Sequence, residues 1–383
     1  MKPIRIGIAG LGFIGPAHLE AIRRTPWLQV IAVCHSSFDK AKEKAARLQV
    51  PHAYESYEEM ISHPDLDAVH ICTPNHLHYT MAKAALQMGL HVICEKPLAM
   101  TIEEGQELLE LAREQGVVHA VHYNIRYYPL VRHMRALRLR GDLGRLYTVS
   151  GSYLQDWLFY DSDYNWRLET AMSGDSRVVA DIGSHLLDLI EYVSGERVEA
   201  VMADLHTIHP TRQKPRTAIE TYAGKLAGSA EYDEVPVDTE DYAAILLRFA
   251  GGQRGVVSLS QAVAGRKNRL SVEFAGSRQT LAWHSEAPNE LWIGYRDAPN
   301  QVLMRDPALM DPDAAAITSL PGGHNEGFAD TSTHFMREVY AAIREGEAPD
   351  TPAYPTFEDG LRDLVLGDAI LQSHREQRWV TVV

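Results

Sequence analysis

The chain has 383 residues, 45% of them hydrophobic and 23% charged, which is enough apolar material for two or three packed domains and excludes wholesale disorder. Lys plus Arg total 37 against 51 Asp plus Glu, a net charge of −14 with His neutral. So acidic a surface repels phosphate backbones, and nucleic acid is not an expected partner. Three cysteines (Cys34, Cys72, Cys94) are an odd number set in apolar runs, so no disulfide framework is expected. No stretch reaches about 18 uninterrupted apolar residues, so no membrane span is expected. The opening MKPIRIGIAG places a cation before apolar residues but runs into glycines rather than a cleavage site. Together these predict a cytoplasmic protein.

In chain order, short apolar runs at Ile4 to Ala9, Val30 to Cys34, Ala68 to Cys72, His91 to Cys94 and Val117 to Val121 predict buried strands. Between them, Gly15 to Arg24, Lys40 to Leu48, Leu77 to Met88 and Glu103 to Glu114 have helical periodicity. Strands apolar on both faces, alternating with amphipathic helices, predict a doubly wound parallel sheet over residues 1–123. Thr101 and Glu104 form a capping-box pattern for the helix after Pro97.

The rhythm changes over 124–383. Helical stretches at Leu130 to Arg140 and Val178 to Val193 surround a strand candidate at Arg145 to Leu154. Strand candidates then follow without helices at Val198 to Leu205, Tyr242 to Phe249, Arg254 to Gln261, Leu270 to Ala275, Gln279 to Trp283 and Glu290 to Ile293. Successive strands without crossovers predict a large, mainly antiparallel sheet in an α+β domain. Thr207 to Asp241 reads as an irregular excursion, and helices at Asn325 to Glu345 and Phe357 to His374 close the chain, packing back toward the first domain.

Gly10-Leu11-Gly12-Phe13-Ile14-Gly15 joins the first strand to the first helix, the context in which a GxGxxG match signals dinucleotide binding. Gly10 permits the turn, Gly12 admits a pyrophosphate to the backbone, and Gly15 allows close helix–strand packing where the helix amides favour the anion, with Phe13 and Ile14 among the expected cofactor contacts. An acid is expected about 20 residues on to hold the ribose hydroxyls. Here His35 stands in that place, followed by Ser36, Ser37 and, further on, Lys40, which could hold a 2′-phosphate. NAD and NADP both remain open as cofactors.

Thr73-Pro74-Asn75-His76-Leu77-His78 follows the third apolar run, where loops line the ligand crevice. His76 and His78, two apart, share no helix face and bring no metal-ligand set with them, so turn chemistry with cofactor contact at Thr73, Pro74, Asn75 and His78 is expected and no metal. Cys94-Glu95-Lys96-Pro97 puts a lysine at another strand end, where partial desolvation suits it to proton transfer. Glu95 could position it, and Pro97 forces a turn; a surface Glu–Lys pair has the same spacing. Asp181 and His185 stand i, i+4 on a candidate helix, a carboxylate orienting an imidazole for acid–base work. A surface ion pair or a satisfied buried histidine fits that spacing equally.

The order Gly10 to Gly15, TPNHLH, Glu95-Lys96-Pro97 and DxxxH at Asp181 and His185, with a closing FEDGL at 357–361, resembles the Gfo/Idh/MocA oxidoreductases over nearly the whole chain. The resemblance implies Lys96 as catalytic lysine and Asp181 with His185 as the substrate-binding and acid–base pair. It further implies a cleft lined by Asn124, Arg126, Trp166 and Arg167, and a homo-oligomer, dimer or tetramer, built on the second-domain sheet. The implied activity is NAD(P)-dependent oxidation of a secondary hydroxyl on a sugar, sugar derivative or cyclic polyol. Two alternatives are an NAD-retaining glycoside-cleaving hydrolase of the same fold and a non-catalytic nucleotide-binding protein. Aromatic residues crowded between Tyr147 and Trp166 suit a sugar ring, or a packed strand and loop.

Overall fold

The computed structural model describes residues 2–216, 231–346 and 352–383. The chain divides into two compact units: Met1–Asn124 with Ala171–Gly174 and Ala329–Leu364, and Ile125–Thr170 with Asp175–Phe328 and Val365–Val383.

The first unit runs β1 (Ile4–Ala9), α1 (Ile14–Arg23), β2 (Leu28–Cys34), α2 (Phe38–Arg47), β3 (His52–Tyr54), α3 (Tyr57–Ile61), β4 (Ala68–Ile71), α4 (His78–Gln87), β5 (His91–Cys94), α5 (Ile102–Gln115) and β6 (His119–Val121). Its strands form one parallel sheet in the order β3-β2-β1-β4-β5-β6. Ile6, Ile8, Val69, Ile71, Val92 and Ile93 are fully buried, and burying each such side chain contributes about 1.5–3 kcal/mol. The two-sided apolar runs of the sequence are explained by helices covering both faces. The capping box forms in modified shape: Thr101 Oγ1 accepts from Glu104 N at 3.2 Å, but the Glu104 carboxylate reaches back to Met100 N at 3.0 Å. β3 and α3, three and five residues long, are too short to carry a readable period.

What matters for function is the carboxyl edge. β1 lies between β2 and β4, so the strand order reverses there, and the register pairs Ala9 with both Cys34 and Ile71, Ile71 with Cys94, and Cys94 with Val121. The residues just beyond those positions (Gly10, His35, Thr73, Glu95, His122) therefore emerge along one edge, at the switch point where such sheets bind ligands.

The second unit is built on a nine-stranded sheet. Its chain order is α6 (Pro129–Arg140), β7 (Leu146–Leu154), a single turn α7 (Thr170–Ser173, mostly in the first unit), a π turn (Val179–Gly183), α8 (Ser184–Ser194), β8 (Val198–His206), β9 (Thr211–Pro215), β10 (Tyr232–Pro236), β11 (Tyr242–Phe249), β12 (Arg254–Ser260), β13 (Arg269–Gly276), β14 (Thr280–His284), β15 (Glu290–Gly294), β16 (Gln301–Met304) and α9 (Pro312–Ala316). α10 (Phe328–Glu345) lies almost wholly in the first unit, α11 (Phe357–Glu376) belongs to both in turn, and β17 (Val380–Thr381) returns to this sheet. The sheet order is β16-β15-β14-β13-β7-β12-β11-β8-β17. Every pair is antiparallel except β7 with β12, as the run of strands without crossovers predicted. Leu186, Leu189, Ile190 and Val193 of α8 join Val149, Val272 and Phe274 of the sheet in one core cluster.

Two expectations need correction. Thr207 to Asp241 is not irregular throughout: β9 and β10 form a hairpin at its ends, with residues 217–230 outside the described part. Its strands are polar, β10 largely exposed and β9 mostly half-buried, so no apolar period announces them. The helix expected from Val178 opens instead with the π turn. Among the described residues, no helix is long and apolar enough to cross a membrane.

Candidate active site

The glycine loop has the form that a pyrophosphate requires. Gly10 has φ +89°, and a Cβ there would fall 2.5 Å from the Cys72 carbonyl oxygen, so no other residue fits the turn without strain. A Cβ on Gly15 would lie 2.1 Å from the Gly10 oxygen, whereas one on Gly12 would enter open space. The two outer glycines thus serve the backbone, and the middle one leaves an empty approach to it. No acid occupies the first turn of α1, which leaves its amide ends to an anion. Phe13 is the N-cap and exposed, and Ile14 begins the helix.

At the end of β2, His35 Nδ1 accepts from Ser37 N at 3.2 Å. Burial, then the Lys44 and Lys40 ammonium groups, push its pKa down, so the ring is neutral and the surrounding charge is positive. Ser37 is the N-cap of α2, with its hydroxyl unused for capping, and Ser36 is exposed beside it; Asp39 is the acid in the first turn. Lys44, which sequence reading passed over, donates to the Leu11 carbonyl at 2.6 Å and ties α2 to the glycine loop.

His78 braces two loops of the edge. Nδ1 lies 2.7 Å from the Pro97 carbonyl oxygen and Nε2 lies 2.9 Å from that of Thr73, so the imidazole joins TPNHLH to the Lys96 turn. Asn75 is buried and donates to Ser173 O at 3.0 Å, Pro74 precedes a short 3-10 turn, and Thr73 Oγ1 contacts Met81 sulfur. The Lys96–Pro97 bond is cis, Lys96 is half-buried, and Glu95 is buried. Asn124, buried in the same unit, donates to Thr331 Oγ1 at 2.8 Å.

In the second unit Asp181 sits inside the π turn and His185 in the first turn of α8. A Cβ on Gly183 would fall 2.7 Å from Leu259, so the turn lies tight against β12. The Asp181 carboxylate is held from both sides, by Arg167 Nε on Oδ1 at 3.1 Å and Gln261 Nε2 on Oδ2 at 2.8 Å. Arg167 also lies over the Trp166 ring at 4.5 Å, which places these two candidates beside Asp181. Arg126 is different: Nε reaches both Asp188 oxygens at 2.8 and 3.1 Å, and the guanidinium covers Tyr192 at 4.8 Å.

Behind Gln261 stands a cluster invisible in the sequence. Gln261 Oε1 accepts from Arg177 Nη1 at 3.3 Å, and Arg177 and Arg212 each donate to Asp241 Oδ1 at 2.6 Å, all four residues being buried. Burial alone would raise the Asp241 pKa, but the Arg177 and Arg212 charges outweigh it and hold the carboxyl below its usual range. The aromatic stretch divides: Tyr153 is in the main core, Trp157 and Tyr164 pack on a small cluster with Leu158 and Leu168, and Tyr160 is exposed.

Residues 4–123 match the family model described as an oxidoreductase family with an NAD-binding Rossmann fold, and 131–282 match the GFO/IDH/MocA C-terminal domain. The levoglucosan dehydrogenase of Pseudarthrobacter phenanthrenivorans is 30% identical over 100% of this chain and 99% of its own length. The myo-inositol 2-dehydrogenase of Thermotoga maritima is 28% identical over 98% of both. Among solved structures, levoglucosan dehydrogenase in complex with NADH and L-sorbose superposes with a TM-score of 0.89 at 29% identity, over 99% of each chain. An inositol dehydrogenase homologue complexed with NAD+ from Azotobacter vinelandii gives 0.86 at 27%, over 99% of this chain and 97% of that one. With both domains matched and the glycine loop, lysine turn and DxxxH pattern in place, the chain belongs to the Gfo/Idh/MocA family of NAD-binding oxidoreductases.

Proposed function

We propose that the protein is an NAD(P)-dependent dehydrogenase that reversibly oxidises a secondary hydroxyl of a sugar, sugar derivative or cyclic polyol. What carries this reading is the end-to-end likeness to sugar and inositol dehydrogenases in a chain that also contains Lys96, Asp181 and His185. When bound, the nicotinamide supplies the hydride acceptor. The Gly10–Ile14 loop and the α1 amides would hold the pyrophosphate. Thr73, Pro74, Asn75, Glu95 and Lys96 would flank the nicotinamide half, with His78 fixing the loops that carry them.

In this proposal Lys96 Nζ takes the substrate hydroxyl proton. His185 serves as a further acid–base group, and Asp181, locked by Arg167 and Gln261, keeps that imidazole oriented. Asn124, Trp166 and Arg167 bind the remaining hydroxyls, and Arg126 supports the wall through Asp188. The test is a screen of sugars and cyclic polyols with each cofactor supplied separately. Stoichiometric cofactor reduction is the expected result; glycoside cleavage without net reduction would overturn the reading.

The basic mouth formed by His35, Ser36, Ser37, Lys40 and Lys44 leads us to propose that NADP is accepted alongside NAD. The expected result is that Lys40→Ala raises the KM for NADP by about tenfold, the worth of one charge-assisted contact, and leaves the KM for NAD within about twofold. Equal effects on the two cofactors would refute it.

The outer row Met202, Leu246 and Val256 is in register across β8, β11 and β12 and is 36–47% exposed. We propose a homo-oligomer, dimer or tetramer, formed on this sheet face. Light scattering should report a multiple of the 42.8 kDa chain, reduced by Leu246→Glu; a monomeric parent chain would rule it out. Three buried cysteines without disulfides fit the cytoplasm.

A further inference from the structure

Just before β11, two adjacent buried acids fix Asp181 by separate routes, all within the second unit. Glu240 Oε1 accepts from the Ser176 hydroxyl at 2.6 Å and from the Arg177 and Val179 amides, each at 3.0 Å. It anchors the backbone from which the π turn starts, and the Asp181 amide closes back onto Arg177 O at 2.7 Å. Asp241 works through side chains. Its Oδ1 holds Arg177 Nη2 at 2.6 Å, Thr239 accepts from Nε at 3.2 Å and Nη2 at 3.1 Å, and Nη1 meets Gln261 Oε1 at 3.3 Å. Gln261, fully buried just past β12, is pinned by its backbone as well: its amide donates to Asp241 O at 3.1 Å, and its carbonyl accepts from Leu158 N at 3.2 Å.

These bonds leave the Gln261 side chain one orientation. A guanidinium only donates, so the atom facing Arg177 is the amide oxygen. The amide nitrogen then faces Asp181 Oδ2 as a donor, at 2.8 Å. Arg167 Nε, also a donor only, meets Oδ1 at 3.1 Å. Both Asp181 oxygens are therefore acceptors, and hydrogen bonds made to the charged form of a carboxyl favour that form. With the Asp181 side chain 13% exposed, each such bond counts for more than it would in water.

We propose that Gln261 is a positioning residue: turned by Arg177, its amide holds Asp181 as an ionised acceptor, so that Asp181 serves the reaction as a fixed anion and not as a proton carrier. A glutamate of the same size would not serve, because it would set an anion against Asp181 across the 2.8 Å that the amide now bridges. The charged groups around position 261 are Asp181 with Arg167 on one side, and Arg177, Asp241, Arg212 and Glu240 on the other. The inference deepens the proposed reaction and rests on Asp181 belonging to its site.

The experiment uses the sugar or cyclic polyol that the protein turns over fastest and compares Gln261→Glu, Gln261→Met and Asp181→Ala. It measures kcat and KM against pH, with the cofactor KM and thermal unfolding alongside. Gln261→Met keeps the length without the donor and should raise the substrate KM about tenfold, the worth of one hydrogen bond to a charged group, with the cofactor KM within about twofold. Gln261→Glu should raise it at least as much at alkaline pH and recover as pH falls, because the paired carboxylates then share a proton and a donor toward Asp181 is restored. Lowered melting temperatures with the parent's substrate KM and pH profile in both variants would overturn the inference and leave Gln261 a purely structural part. A fully active Asp181→Ala would instead remove the reading beneath it and the inference with it, so the two failures are told apart by different variants.

Discussion

Replacing Lys96 by Ala is expected to lower turnover at least about 100-fold while cofactor binding survives, because an acid–base group contributes about 10²–10⁴ to rate. The residue closes β5 at the edge where Gly10, His35, Thr73 and His122 also emerge. It lies in a turn held by His78 on the Pro97 carbonyl and by Glu95 in the interior. Loss of an ammonium that is only half-buried leaves that scaffold intact, so the effect should fall on kcat and not on cofactor affinity. His185→Ala should cost a comparable factor. Because both groups are proposed for the same proton transfer, the double variant should be scarcely worse than the poorer single one, as residues working as a unit are strongly non-additive. Multiplicative losses in steady-state and single-turnover assays would separate the two residues into independent roles.

The parts of this molecule that were legible in the sequence are those encoded locally. The parallel sheet could be read because burial on both faces leaves unbroken apolar runs, and the glycine loop because Gly10 and Gly15 answer steric demands a few residues away. The second sheet could be read from strands following one another without helices. What the sequence concealed is assembled over distance. In the interior of the first unit His18 meets His70 at 2.8 Å and His122 at 3.1 Å, yet the three lie up to 104 residues apart and share no spacing. Their only signal is an imidazole placed in or beside an apolar run, as in AVHIC and HAVHY, where a polar group demands a buried partner. Arg177 accepts the Asp181 amide at 2.7 Å from four residues upstream, but Asp241 is 64 positions from Arg177 and nothing local links it to either. The π turn escaped notice because Gly183 admits it through contact with Leu259, a tertiary fact. Edge strands such as β16 and β17, four and two residues long, have no room for a period.

The largest stability effect is expected at Asp241. Its Oδ1 receives Arg177 and Arg212, and its Oδ2 receives the Ile208 and His209 amides at 2.8 and 3.1 Å. Asp241→Ala would leave two guanidinium groups in a fully buried site without their common counter-charge, a loss of about 3–5 kcal/mol. That is a large share of the 5–15 kcal/mol that holds an ordinary domain together. The same carboxylate makes the unit acid-sensitive in a definite direction. Because its pKa in the folded state lies below the unfolded value of about 3.9, its contribution is complete above that pH. It is lost as pH falls through the folded value. Thermal unfolding between pH 7 and 3 should therefore show the parent chain losing stability at the acid end while Asp241→Ala, already destabilised, changes less with pH. Since Arg177 also holds Gln261, and Gln261 holds Asp181, the variant should in addition raise the KM for the sugar or polyol at temperatures where it remains folded. A variant with lowered stability but an unchanged KM would confine the buried ion cluster to holding the fold and detach it from the site.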